Sequence, residues 1–423
     1  MNGESVAFPN NMPVLNPWYA RLEQAIQVML LIYIASLPFR QLLFVERQGF
    51  LILLGLLLIW SILKRQLWIV RTPLDLPLLA FVFWVGFTVP FASFPDYSVK
   101  EFGKLLQGVL IFYAVIFFLQ PERQRNSLVY ILVLMVAIVS GAGIYQFDAA
   151  NYQATRSFLS SEVWLTTFLV MFIPLCWALA AFDRSTMRRP LFLIVGLLAT
   201  ACLLLTQSRA GLVALFVEAW LFAWLYRHRF VRITVGAVTG FALVVVAGVT
   251  YVDRTATQGS VMEVRKLIPF RTFTPSIEHR FEIWSFAFSE IAKHPVVGIG
   301  YGSETLRLLY PPNAENVPIG IPAVRGVGTH NIFLFLALHV GIPGLVCFLW
   351  FALVLIKELV TSYMSTTQFP ATAVLLGAAI GVVGVLVRVQ FDQMLVGTLA
   401  VLFWVLIGLA MVHSRFQRNA AHR

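Results

Sequence analysis

The residues of this chain best suited to chemistry are one histidine and two arginines that lie where apolar segments begin or end. His330 stands in G-V-G-T-H-N-I-F-L-F-L-A-L-H-V-G-I-P-G-L, from Gly326 to Leu345, where a polar, glycine-punctuated entry runs into a long apolar helix. An imidazole there can exchange a proton near neutral pH while the helix fixes its position. A capping or interface histidine is the competing interpretation, and Thr329 and Asn331 could hold the ring by hydrogen bonds.

The first arginine, Arg209, belongs to the sequence T-Q-S-R-A-G between two apolar segments. It follows Arg189 by 20 residues, or about 30 Å of helix, so a helix that starts at one membrane surface brings Arg209 to the opposite hydrocarbon edge. An arginine at that depth is unfavourable unless it is paired or contacts a phosphate. Lipid headgroups would satisfy it as well as a substrate would.

The second arginine, Arg280, lies in a segment whose apolar residues recur at helical spacing. The pattern predicts an amphipathic helix over 276–293, with Arg280 one turn before Trp284. In one interpretation this helix rests its apolar face on the bilayer, and Arg280 reaches lipid phosphates. In the other, the guanidinium binds a substrate. The predicted apolar face consists of Ile277, Phe281, Trp284, Phe288 and Ile291.

Two further stretches carry candidate substrate-binding residues. The sequence H-P-V-V-G-I-G-Y-G-S, from His294 to Ser303, contains Gly300 and Tyr301, and its glycines allow a close backbone approach or simply a tight turn. Asp392, in R-V-Q-F-D-Q, could orient His330 or bind a hydroxyl, or it could be a loop carboxylate paired with Arg388.

Other chemistries lack their sequence patterns. There is no H-E-x-x-H, no G-x-S-x-G, no phosphate-binding G-x-x-x-x-G-K-[ST] and no D-x-D pair. The three cysteines lie in apolar segments without metal-ligand spacing. His339 lies on the opposite helix face from His330, so the two cannot share a ligand set. We expect no metal and no cofactor.

The elements that carry these residues are predicted to be membrane helices. The chain is 59% hydrophobic and 12% charged, and apolar runs long enough to cross a bilayer recur from end to end. The predicted fold class is an all-α polytopic membrane protein with about twelve transmembrane helices and one large periplasmic loop that contains the amphipathic helix. The predicted spans are 20–38, 49–63, 74–92, 105–119, 127–147, 161–182, 190–207, 210–226, 231–251, 330–356, 370–388 and 394–412.

Lysine and arginine set the expected orientation. Short connections on one side hold 15 of these residues and those on the other side hold 7, which makes the first side cytoplasmic and puts both termini there. The chain divides into spans one to nine (1–251), a large periplasmic loop (252–329), and spans ten to twelve with a basic cytoplasmic tail (330–423). The net charge of +11 therefore reflects topology and contact with anionic lipid, and we expect no nucleic-acid binding.

Taken in order, five motifs resemble the O-antigen ligase and polymerase superfamily of bacterial inner-membrane glycosyltransferases. They are T-Q-S-R-A-G, E-H-R-F-E-I-W, H-P-V-V-G-I-G-Y-G, T-H-N-I-F-L and V-G-I-P-G-L. Within that group, the order of an arginine, a second arginine and a histidine along the chain is similar to that in the O-antigen ligases. This resemblance implies Arg209, Arg280 and His330 as the functional residues. Arg156, in T-R-S-F, resembles a further arginine of the superfamily.

The same resemblance implies a lipopolysaccharide-biosynthesis enzyme of the Gram-negative cell envelope. Its donor would be a glycan on undecaprenyl diphosphate, its acceptor a lipid A-core sugar, and its active site periplasmic. Relatives often carry an acidic residue where His339 stands, which leaves a helper role there open. An O-antigen polymerase or a protein O-oligosaccharyltransferase would use the same donor, and a transporter or flippase is the alternative of a different class. The sequence does not indicate an oligomeric state.

Overall fold

The computed structural model describes residues 17–147, 155–237, 239–240, 273–310, 328–391 and 396–421. Its regular structure is helical, and no strand occurs within those ranges. The α-helices that lie wholly within those ranges are α1 (Pro17–Ser36), α2 (Leu43–Lys64), α3 (Asp75–Thr88), α4 (Pro95–Phe118), α5 (Glu122–Tyr145), α6 (Glu162–Phe182), α7 (Arg188–Leu205), α8 (Arg209–Tyr226), α9 (Phe273–Lys293), α10 (Thr305–Leu309), α11 (Ile332–Met364), α12 (Ala371–Arg388) and α13 (Gly397–Ala421).

Long apolar helices confirm the predicted all-α membrane fold. Nine helices within the described ranges are long and apolar enough to cross a membrane, and the segment Asp75–Phe91 is a shorter apolar helix. The predicted second and fourth spans are longer than the sequence suggested, because they extend to Arg40–Lys64 and Pro95–Phe118. The predicted ninth span, 231–251, is helical at 229–237, and most of the remainder lies outside the described residues. The number twelve therefore stays a prediction.

The predicted first span corresponds to α1, which is a helix of 20 residues but is more polar than the other spans. Its polar side chains contact neighbouring helices. Gln27 donates to the carbonyl of Phe118 at 3.0 Å, and Glu23 accepts the indole N–H of Trp60 at 3.1 Å. These bonds explain how α1 joins the bundle without a fully apolar surface.

The middle of the bundle is built from α6 and α12, which approach each other closely through small residues. The Cα of Leu175 lies 2.5 Å from the position that a Cβ on Gly377 would occupy. The carbonyl oxygen of Met171 lies 2.5 Å from the position of a Cβ on Gly381. Gly377 and Gly381 form the small-x-x-x-small spacing that lets membrane helices pack backbone against backbone. This contact fixes α12, whose far end leads into the candidate site.

Helix α11 is sharply bent, and the bend explains its length. At Gly341 the backbone leaves the helical region (φ 75°, ψ 173°), and Pro343 follows with no N–H to donate. The 33 residues of α11 would measure about 50 Å if straight, against about 27 Å for the 18 residues of α12. The Ile332 N–H nevertheless donates to the carbonyl of Val389 at 3.0 Å, so the start of α11 reaches only as far as the end of α12. The first turns of α11 must therefore run at an angle to the rest.

The glycine-rich stretch His294–Ser303 fills the bend. Ile299 and Gly300 donate their N–H groups to the carbonyls of Leu338 and His339 at 2.9 and 3.1 Å. In return, the N–H of Ile342 donates to the carbonyl of Pro295 at 2.8 Å. The bend frees these backbone groups from the helix, and the stretch satisfies them, so the two segments stabilise each other.

The predicted amphipathic helix is confirmed as α9, but its apolar face is different from the expected one. Ile283, Phe286 and Ile291 are buried against the first turns of α11, whereas Phe281 and Phe288, which we expected beside Ile291, are 63% and 59% exposed. The helix is apolar on two flanks, and helical spacing could not distinguish which flank contacts the protein. Ile277 lies outside the residues whose side chains are described.

Candidate functional site

The predicted site residues within the described ranges lie at one end of the bundle. The opposite end is marked by a hydrogen bond from the Tyr363 hydroxyl, near the end of α11, to the carbonyl of Leu225 near the end of α8 at 3.2 Å. Helix α8 therefore begins at the end where α9 and the first turns of α11 lie, which we call the α9 end. Arg209 stands at that beginning.

Arg280 and His330 are brought near each other by two contacts of α9. The indole N–H of Trp284 donates to the carbonyl of Thr329 at 3.2 Å, immediately before His330. One helical turn away, the guanidinium carbon of Arg280 lies 5.6 Å from the centre of the Phe391 ring. Helix α9 thus contacts both the residue before His330 and the segment that follows α12.

His330 has a strained backbone conformation, with φ 49° in the left-handed region. The next residue, Asn331, caps α11, because its side-chain oxygen accepts from the N–H groups of Phe333 and Leu334 at 2.9 and 3.1 Å. This oxygen is used by the helix, and a substrate-binding role for Asn331 stays a prediction. Strain of this kind concentrates at functional sites, because the surrounding structure must hold it.

Two other strained residues flank predicted arginines at the same end. Gln207 (φ 55°) lies just before Arg209, and Ser157 (φ 54°) directly follows Arg156. The remaining residues of this kind in the described part of the chain, Arg65 and Arg227, terminate α2 and α8. Arg156, Arg209 and His330 therefore each lie in, or within two residues of, a turn whose backbone has an unfavourable left-handed conformation.

Arg209 occupies the first turn of α8, where the partial positive charge of the helix dipole disfavours a cation and favours an anion. Ser208 caps the helix by accepting the N–H of Gly211 at 3.2 Å. Gly211 leaves space that the side chain of Thr166 occupies, so α8 begins directly beside α6. An anion bound at this end would relieve the unfavourable placement of the guanidinium.

Arg156 is exposed in the turn that leads into α6. This turn contacts the start of the α2 region, because the Arg40 N–H donates to the carbonyl of Phe158 at 3.3 Å and the Phe39 and Phe158 rings meet at 5.4 Å. This contact places the turn that carries Arg156, a predicted site residue, beside the segment that carries Arg40, which no motif indicated.

A cavity of about 740 Å³ opens beside these elements. Its buried lining is apolar and rich in aromatic rings, and its charged residues are three exposed cations and two carboxylates, Glu46 and Glu101, of which Glu101 forms an ion pair with Lys104. Ile332, two residues after His330, belongs to the lining, whereas Arg156, Arg209, Arg280 and His330 do not. The buried aromatic residues are Phe81, Phe335, Phe348, Phe351, Phe403 and Trp404, and the exposed cations are Arg40, Arg47 and Lys104.

Gly300 and Tyr301 have different surroundings. Gly300 is buried, with φ 117°, and a Cβ there would stand 2.7 Å from that of Ala92, so the close approach that the glycine permits is made to the protein itself. Tyr301 lines the cavity. Burial, and then Glu101 and Tyr97, raise the pKa of the Tyr301 phenol. Substrate contact stays a prediction for both residues.

Two other expectations concern His339 and Asp392. His339 is buried, its Nδ1 lies 2.8 Å from the Phe335 carbonyl and its ring stacks on the Phe335 ring at 4.0 Å, which fits a structural role. Asp392 lies outside the described residues, so its pairing with Arg388 or His330 stays a prediction.

The sequence motifs did not reveal Arg40, Arg47 and Lys104 as candidate site residues. From the sequence, these three residues are recognisable only as charges that set the orientation of the helices. The sequence shows only that these three cations lie near the ends of their spans, on the side of the membrane that has fewer lysines and arginines. It does not distinguish a cavity lining from ordinary contact with headgroups.

Comparison with known families is consistent with this geometry. The model of the family described as O-antigen ligase matches residues 193–349, a range that includes Arg209, Arg280 and His330. No curated protein matches the chain. That family comprises glycosyltransferase-like ligases and polymerases, which supports a transferase role in general terms. Residues 193–349 of this multi-pass membrane protein are therefore similar to the O-antigen ligase family.

Proposed function

We propose that this protein is an O-antigen ligase that transfers a polysaccharide from undecaprenyl diphosphate to a sugar hydroxyl of lipid A-core. The observation that carries the proposal is a cavity with aromatic walls, in which Arg40, Arg47 and Lys104 outnumber Glu46 and Glu101, at the end of the bundle that holds Arg280 and His330. A polyprenyl diphosphate has the matching parts, an apolar chain and an anionic headgroup. The unequal distribution of lysine and arginine supports a periplasmic position for this end, in the bacterial inner membrane.

The arginines would act on the leaving group. When the bond between the anomeric carbon and the diphosphate oxygen breaks, its electron pair stays on the diphosphate and negative charge grows there. A guanidinium is always charged and can form two parallel hydrogen bonds to phosphate oxygens. Arg209 and Arg280 would stabilise this charge as it develops, an effect that is typically worth about 3–4 kcal/mol for a single donor.

His330 would act on the acceptor. The attacking sugar hydroxyl must lose its proton as its oxygen bonds to the anomeric carbon, and the imidazole would accept that proton as a general base. Such a base typically contributes about 10²–10⁴-fold to the rate. A single displacement of this kind inverts the anomeric centre. The diphosphate ester supplies its own leaving group, and the reaction needs neither a nucleotide nor a metal ion.

The test is in vitro transfer by the purified protein with an undecaprenyl-diphosphate-linked glycan and three separate acceptors. The acceptors are lipid A-core, a second lipid-linked glycan and a pilin-like protein. We expect a glycosylated lipid A-core as the product. Product formed only on the lipid-linked glycan would make the protein a polymerase, and product formed only on the pilin would make it a protein O-oligosaccharyltransferase. Absence of transfer to every acceptor, with intact folded protein, would contradict the proposal.

A further inference from the structure

Helix α9 contacts two backbone segments that hold the predicted site, and it does so with residues one turn apart. Trp284 binds the Thr329 carbonyl through its indole N–H at 3.2 Å. Arg280 lies against Phe391, with its guanidinium carbon 5.6 Å from the ring centre. These residues line one flank of α9, because a spacing of four residues is about one helical turn.

The two segments that α9 contacts are also bonded to each other. The Ile332 N–H donates to the Val389 carbonyl at 3.0 Å, which joins the start of α11 to the residue after α12. The adjacent flank of α9 is fixed by Ile283, which is fully buried against the first turns of α11. Helix α9 is therefore held along two neighbouring flanks, and the Arg280 side chain extends from a supported helix.

The geometry points to a positioning role for two residues that the sequence motifs did not assign. Trp284 and Phe391 are positioning residues, which align the guanidinium of Arg280 with the donor diphosphate and the imidazole of His330 with the acceptor hydroxyl. Trp284 holds the Thr329–His330 peptide through its carbonyl, and Phe391 supports the guanidinium through its ring face. This inference rests on the proposed function, since it assigns no chemistry to Trp284 or Phe391 themselves.

The chemical parts of each residue make the inference testable. Trp284→Phe keeps an aromatic ring and removes the N–H, while Phe391→Leu keeps an apolar side chain and removes the ring. Phe391→Tyr restores a ring face. Matched controls are Trp224→Phe, at an indole that is 64% exposed, and Phe288→Leu, at an exposed ring on α9 itself.

The assay is steady-state transfer by the full-length protein from the undecaprenyl-diphosphate-linked glycan to lipid A-core, with thermal unfolding of every variant measured alongside. We expect Trp284→Phe and Phe391→Leu each to lower kcat by about tenfold with KM for the donor changed less than about twofold, since alignment affects the transition state more than binding. Phe391→Tyr and both controls should stay within about twofold of the wild-type kcat.

Three results would overturn the positioning role. They are wild-type kcat in both loss variants, a fall in kcat that Phe391→Tyr does not reverse, and a fall explained by a lowered unfolding temperature. If Trp284→Phe does not fold, the comparison of Phe391→Leu with Phe391→Tyr decides alone. A wild-type protein that transfers to no acceptor would instead refute the proposed function, so the two failures are distinguishable.

Discussion

The indole N–H of Trp84 donates to the carbonyl of Val340 at 2.8 Å, directly before the residue at which α11 bends. Together with the glycine-rich stretch, this bond satisfies three successive carbonyls that the bend removes from helical bonding, those of Leu338, His339 and Val340. The angle of the first turns of α11 is thus fixed by hydrogen-bond partners on α3 and on the glycine-rich stretch His294–Ser303. His330 stands at the far end of those turns.

Removing the Trp84 bond should loosen this arrangement. Trp84→Phe leaves the Val340 carbonyl without that donor, and we expect a loss of about 1–2 kcal/mol in stability. The measurement is thermal unfolding of the purified protein in detergent. Trp224→Phe, at an exposed indole, serves as the control and should unfold at the wild-type temperature. An unchanged unfolding temperature for Trp84→Phe would show that the bond contributes nothing.

The bend itself should tolerate only glycine at position 341. Gly341→Ala places a Cβ on a backbone with φ 75°, and that atom would collide with the carbonyl of Val296. We expect a loss of more than about 2 kcal/mol from backbone strain and the collision together. Gly141→Ala in α5 is the matched control, because a Cβ there meets no atom within 4 Å. Equal stability of the two variants would rule out the strain argument.

The sequence predicted the helices well because membrane spans depend mainly on length and apolar content. It could not predict the direction of the bend in α11. The motif V-G-I-P-G-L shows that a break is tolerated near Pro343, but the angle depends on the stretch His294–Ser303, which supplies the missing hydrogen bonds. That information belongs to two segments about 40 residues apart and to neither one alone.

The candidate site was predictable only in part, because some of its residues belong to local patterns and others are brought together by packing. Arg280 and His330 are recognisable because each stands at a fixed place on a helix whose pattern is local. The cations at the cavity, Arg40, Arg47 and Lys104, come from the first quarter of the chain, and only the packing of α2 and α4 brings them to the same opening. The exposed positions of Phe281 and Phe288 also depend on packing, which periodicity does not contain.

Replacing the proposed base should abolish transfer without unfolding the protein. His330→Ala removes the imidazole, and we expect kcat to fall by about 10²–10⁴-fold. Purification yield, thermal unfolding and membrane insertion should match those of the wild type, because the capping oxygen of Asn331 stays in place. Near-normal ligation by this variant would remove the base role.

The kind of cation at position 280 should matter as well as its charge. Arg280→Lys keeps the charge but loses the planar group that can hold two phosphate oxygens, so we expect it to be nearly as inactive as Arg280→Ala. The comparison uses initial rates at saturating donor and acceptor. Full activity in the lysine variant would point to a simple charge requirement.

The exposed cations that line the cavity should govern donor binding more than the chemical step. Arg47 is exposed, lines the cavity and lies on α2, away from the elements that carry His330 and Arg280. Arg47→Glu replaces attraction for a diphosphate by repulsion, and at a solvent-exposed site one reversed charge changes the interaction by about 1–2 kcal/mol, or roughly 5–30-fold in affinity.

For Arg47→Glu we therefore expect KM for the donor to rise within that range while kcat stays within about twofold, and added salt should narrow the difference because it screens exposed charges. Arg65→Glu, at the other end of α2, is the matched control, because it makes the same change in net charge away from the cavity. If both variants raised KM equally, the effect would reflect net charge in the membrane. If Arg47→Glu alone lowered kcat with KM unchanged, the cavity would contribute to the chemical step rather than to holding the donor.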